Sequence, residues 1–108
     1  MSKLHTTLST NHWRQLSLAE KMANIGAEVG RASNWRHKNN LKYSQQSFYR
    51  ALELIDLTIN TSSTYPQIKE ICRVREALVD YFEGDNNYSS TDSQWKKYFL
   101  QFNHLARS

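Results

Sequence analysis

Apolar residues recur along this chain at the spacing of helices. Leu18, Met22, Ile25, Val29 and Ala32 step by four and three residues, which is one helix face. The pattern predicts a helix from about Asn11 to Trp35. A second stripe lies beside the first: Ala19, Ala23, Gly26, Gly30 and Ser33, all small. Two glycines inside a helix cost about 1 kcal/mol each relative to alanine. Close approach of another helix or an aromatic ring would offset that cost, so the small stripe is expected to be a contact seam.

Phe48, Leu52, Ile55 and Ile59 define a helix from about Ser44 to Asn60, and Ala51, Leu54, Leu57 and Thr58 widen its apolar face. An element apolar around most of its girth belongs at the centre of a fold. Pro66 sits just inside the next helix start, where proline is favoured. That third helix uses Ile68, Ile71, Cys72, Leu78, Val79 and Phe82 and stops at Gly84, a residue suited to a left-handed cap. Thr91 followed by Gln94 fits a capping box. The fourth helix then presents Trp95, Phe99, Phe102 and Ala106, with Tyr98 beside them. Four helices joined by short connections predict an all-α, antiparallel up-down-up-down four-helix bundle.

Length changes this picture little. A chain of 108 residues is one domain, with residues 1–10 expected to be a flexible tail. The single cysteine excludes a disulfide scaffold, and its apolar neighbours suggest a small buried hydrophobe. No apolar run approaches a membrane span, and the N-terminus lacks the continuous apolar region of a secretory signal. A cytoplasmic protein without membrane contact is the expectation.

Charge changes the picture more. Residues 1–52 carry eight Lys or Arg against two acids, and residues 53–92 carry three against eight. No acid lies between Glu28 and Glu53. The cations Arg31, Arg36, Lys38, Lys42 and Arg50, with Trp35 among them, form a candidate nucleic-acid-binding set. Lys and Arg neutralise phosphates, and an exposed aromatic stacks on an unpaired base. A competing reading has this basic corner face the acidic loop around Glu83, Asp85 and Asp92, which a bundle brings to the same end. Opposite charge halves and the aromatic fourth helix also point to a homo-oligomer. Arg75 stands among the residues taken as the core of the third helix. It is expected to be mostly buried and to form a structural ion pair with Glu53 or Asp56.

Catalytic chemistry is sparse. No Glu or Asp precedes a His by three residues, so the di-metal pattern of helical bundles is missing, and the sequence asks for no metal and no cofactor. There is no phosphate-binding glycine loop. Arg31 and His37 fit the arginine-to-histidine spacing of small helical ribonucleases of the HEPN class, although composition alone supplies about one such match. A ribonuclease or toxin–antitoxin component is therefore the alternative function.

"NIGAEVGR" (24–31) and "FYRALELIDLTI" (48–59) resemble the corresponding stretches of the four-helix-bundle proteins encoded in ribosomal-RNA intervening sequences, which resemble in turn the accessory proteins of diversity-generating retroelements. Asn24, Ile25, Gly30 and Arg31 carry the likeness, while Glu28 is displaced by one position and the family has a longer preceding helix. The resemblance implies a non-enzymatic, oligomeric accessory bundle. Its expected partners are RNA or DNA, or a protein such as a reverse transcriptase.

Overall fold

The first helix owes its start to Ser17. Its hydroxyl accepts from the Glu20 backbone N–H at 3.1 Å, and the Glu20 carboxylate accepts from the Ser17 N–H at 2.8 Å. This reciprocal capping box begins α1 (Leu18–His37). The unbroken helix expected from Asn11 is thus interrupted: a helical turn at 11–15 comes first, and the chain bends at Leu16. The computed structural model describes residues 11–62 and 64–107; the expected tail at 1–10 lies outside them.

Asn40 caps α2 (Leu41–Thr61) by accepting from the Tyr43 N–H at 3.1 Å, which starts this helix earlier than its apolar stripe suggests. Ser44 is left to fasten the two helices, its buried hydroxyl donating to the Ala32 carbonyl at 2.8 Å. Pro66 stands in the first turn of α3 (Tyr65–Glu83). The Thr91–Gln94 capping box forms, with both bonds within 3.1 Å, and opens α4 (Asp92–Arg107). Gly84 ends α3 at φ −104°, not in a left-handed cap. The left-handed residues of the loops are Asn39, Asn86 and Ser89.

Among the described residues the fold is all-α, and its four long helices run up, down, up and down. The C-terminus of α1, the N-terminus of α2, the C-terminus of α3 and the N-terminus of α4 share one end. There Phe48 stacks on Phe82 at 4.8 Å, and Asp92 meets His37 and Tyr81. Helix α1 packs closely on α2 and on α4, and α2 packs on α3. The α3–α4 side is bridged by side chains: the Tyr98 hydroxyl donates to the Glu70 carboxylate at 2.7 Å.

The core is built from Met22, Ile25 and Val29 of α1, Phe48, Ala51 and Ile55 of α2, Ile71, Val74 and Leu78 of α3, and Trp95 and Phe99 of α4. Trp13 closes the far end, with its indole N–H donating to Thr58 Oγ1 at 3.0 Å in the interior.

The buried face of α3 differs from the expected one by a rotation of about 100°, one residue's step. Val74 and Ala77 face inward with Ile71 and Leu78. Cys72, expected to be buried, is exposed. Arg75 is likewise on the flank, with its side chain 39% exposed, and its Nε donates to Asp56 Oδ1 at 2.9 Å. This is a surface ion pair, not the buried one expected, and Glu53 takes no part in it. The fourth-helix aromatics offered as oligomer surface are also used within the chain: Trp95 and Phe99 are buried, and Tyr98 and Phe102 pack against the core. No helix among the described residues is long and apolar enough to cross a membrane.

Candidate nucleic-acid interface

Residues 28, 31, 35 and 38 share one face of α1 by their spacing, and 43, 47 and 50 share one face of α2. Antiparallel packing sets these two faces side by side. Trp35 and Tyr43 meet edge to face, with ring centroids 4.9 Å apart. The Lys38 ammonium lies 5.3 Å from the Trp35 ring centroid, within cation–π range. Further along, Glu28 bridges the helices: its carboxylate is 3.2 Å from Arg31 Nη1 and 3.4 Å from Arg50 Nε. Arg50 also donates from Nη2 to the buried Ser47 hydroxyl at 3.2 Å. Arg31 and Arg50 remain about half exposed (56% and 48%), while Glu28 is tucked beneath them at 17%. Lys42 is exposed beside Tyr43.

Five of the six expected residues (Arg31, Trp35, Lys38, Lys42 and Arg50) therefore lie on or beside the α1–α2 surface. Arg36 leaves it. One position on from Trp35, its side chain points toward α3, where the guanidinium lies 4.5 Å from the Tyr81 ring centroid and 4.7 Å from that of Phe82. It donates to the Tyr81 carbonyl at 3.3 Å. Arg36 is half-buried and plugs the bundle end. Tyr43 was not picked out from the sequence, and Glu28 was noted there as a position of the resemblance, not as part of this face. Tyr43, an aromatic in the first turn of α2 after a lysine, was a readable signal.

Among the described residues no ion pair joins Arg31, Lys38, Lys42 or Arg50 to Glu83, Asp85 or Asp92, while His37 of the same corner does meet Asp92. Asp92 is held by Ser33 Oγ at 3.1 Å, by His37 Nε2 and by the Tyr81 hydroxyl. Burial pushes its carboxyl upward, but the bonds from Tyr81, His37 and Ser33 outweigh burial and leave it below the usual aspartate value. Burial first, and then Asp92, raise the Tyr81 phenol. Glu83 raises the Tyr49 phenol above its usual value. Asp80 accepts from the backbone N–H groups of Asn87 and Tyr88 at 2.8 and 3.0 Å. Among the described residues, Lys38 and Lys42 form no ion pair, and the acid that meets Arg31 and Arg50 is Glu28 of α1.

His37 and Arg31 do not converge on a reaction centre. His37 turns to Asp92 at the start of α4, and Arg31 turns to Glu28 on the α2 side. No group of three His, Cys, Asp or Glu side chains that could hold a metal ion occurs among the described residues.

On the opposite side of α1, the small stripe meets α4. A Cβ built on Gly26 would lie 2.6 Å from Phe99 Cβ, so glycine there is what admits the aromatic helix. Gly30 faces open space, with no atom within 4 Å of such a Cβ, and lines a groove of about 620 Å³ with Ser33, Lys96 and Leu100. The seam is thus closed at Gly26 and open at Gly30.

Comparison with protein-family models, curated proteins and solved structures found no match to this chain. Of the residues that carry the resemblance, Ile25 is buried in the core and Arg31 lies on the basic face. Asn24 is exposed, its amide donating to the Glu20 carbonyl at 2.8 Å.

Proposed function

We propose that this chain is a non-enzymatic binding protein whose α1–α2 face takes the phosphate backbone of single-stranded nucleic acid, either free or as part of a nucleoprotein. The observation that carries this reading is the composition of that face. Arg31, Lys38, Lys42 and Arg50 surround the Trp35–Tyr43 aromatic pair, with Glu28 the one acid among them. Cations that track a backbone beside rings that stack bases are the physical requirements of sequence-tolerant single-strand binding. An accessory role beside a nucleic-acid enzyme, and assembly into a homo-oligomer, accord with the family resemblance. Leu100 and Leu105, exposed on α4, are the apolar side chains such an assembly would cover first.

A labelled single-stranded RNA tests the assignment by fluorescence anisotropy. Replacing Arg31 and Arg50 with Gln should weaken retention. Replacing Lys96 and Lys97 of α4 in the same way should leave it nearly unchanged. Trp35→Ala should weaken binding by about 1–3 kcal/mol through lost stacking. The RNA should stay intact; cleavage abolished by His37→Ala would replace this proposal with the ribonuclease reading.

A further inference from the structure

The ion-pair geometry on the α1–α2 face carries a conclusion about how that face is regulated, one that rests on the nucleic-acid reading above. Glu28 divides its two carboxylate oxygens between two arginines on different helices: Oε2 takes Arg31 and Oε1 takes Arg50. A phosphate diester presents two non-bridging oxygens with the same negative charge, and arginine recognises carboxylate and phosphate with the same donor fork. The two guanidiniums, from different helices, meet the same carboxylate. Ser47 holds Arg50 from behind at 3.2 Å, so its direction is set by two contacts. Both arginine heads remain about half exposed on long stems.

We infer that Arg31 and Arg50 form a phosphate subsite occupied in the free protein by Glu28, which acts as an internal counter-ion that an incoming backbone phosphate displaces. Glu28 is then an autoinhibitory residue. It weakens binding to any polyanion and limits retention to ligands that offer enough other contacts, at Lys38, Lys42 and Trp35, to offset its displacement.

The test uses the whole chain and a labelled twelve-nucleotide oligouridylate, titrated at several potassium chloride concentrations. Glu28→Gln removes the competing charge at nearly constant shape. Its affinity should rise about three- to tenfold at low salt, the equivalent of two exposed ion pairs. Its slope of log affinity against log salt should stay near that of wild type, because the same phosphate is neutralised once Glu28 is displaced. Glu76→Gln, an exposed acid on α3, controls for net charge and should give a smaller gain. Glu28→Asp keeps the charge but shortens its reach, and should fall between wild type and Glu28→Gln; it also serves as the readout should the glutamine variant fold poorly. Affinity in Glu28→Gln equal to that of Glu76→Gln, or weaker than wild type, would overturn the inference while leaving the nucleic-acid reading in place. No binding by wild type or Glu28→Gln at the lowest salt would remove both.

Discussion

The two interior glycines of α1 should respond to alanine with opposite signs. At Gly26 the new methyl carbon would sit 2.6 Å from Phe99 Cβ and 2.7 Å from its Cγ. Carbon atoms rest at about 3.5–4.0 Å, so roughly 1 Å of retreat is required. The obstructing atom is a Cβ fixed to the α4 backbone, and Phe99 is buried and stacked on Trp95. Rotamer change alone cannot clear it; α4 must move off α1. Overpacking of this kind costs about 1–3 kcal/mol, against about 1 kcal/mol returned by the better helix propensity of alanine. At Gly30 no atom lies within 4 Å, so only the propensity gain applies. Gly30→Ala should therefore stabilise by about 1 kcal/mol, or roughly 4 °C in Tm for a domain of this size. Gly26→Ala should lower Tm or at best leave it level. Thermal unfolding followed by circular dichroism, with urea midpoints at constant slope, reads both. Equal stabilisation by the two substitutions would refute the α1–α4 packing described here.

Thr58→Val keeps the shape of a fully buried residue but leaves the Trp13 indole N–H without an acceptor, and should cost about 1–3 kcal/mol in urea unfolding. Asp92 is held below its usual value in the fold, so its contribution is present at neutral pH and lost as pH falls below the ordinary 3.8 through the folded value. Wild type should lose its stability advantage over Asp92→Asn in that acid range. Burial, and then Arg14, lower the pKa of Lys21, whose ammonium donates to Thr61 Oγ1 at 3.1 Å. The unfolded chain thus binds more protons just below the ordinary lysine value of 10.5, and wild-type stability relative to Lys21→Met should rise with pH in that window, as urea midpoints at pH 7 and pH 10 will show.

The four long helices, their order and antiparallel arrangement were legible because each stripe repeats at 3.6 residues and the connections are short. The phase of the α3 stripe was not. Ile68, Cys72 and Val79 extend its apolar arc to one side, and which part is buried depends on where α2 lies, information held in no local window. Misplacing that arc put Cys72 and Arg75 in the core together. The Ser17–Glu20 capping box was present in the letters but was masked by apolar periodicity running on both sides of it. At the candidate interface, the cationic run showed which residues to examine but not their directions. Adjacent positions on a helix diverge by about 100°, so Trp35 and Arg36 part company, one toward α2 and one toward α3. The Glu28–Arg50 contact spans 22 residues and exists only once α1 and α2 are packed.

The most direct test of the central claim is the slope of log affinity against log salt for single-stranded RNA. Lys38 and Lys42 neutralising one phosphate each, and Arg31 and Arg50 sharing another, should give a slope of about −2 in wild type, at roughly 0.7 per contact. Replacing Lys38 and Lys42 with Gln should flatten it by about 1.4 without lowering Tm, since both are exposed and free of ion pairs among the described residues. Binding that is indifferent to salt, or a slope unmoved by those two replacements, would contradict the assignment of the α1–α2 face.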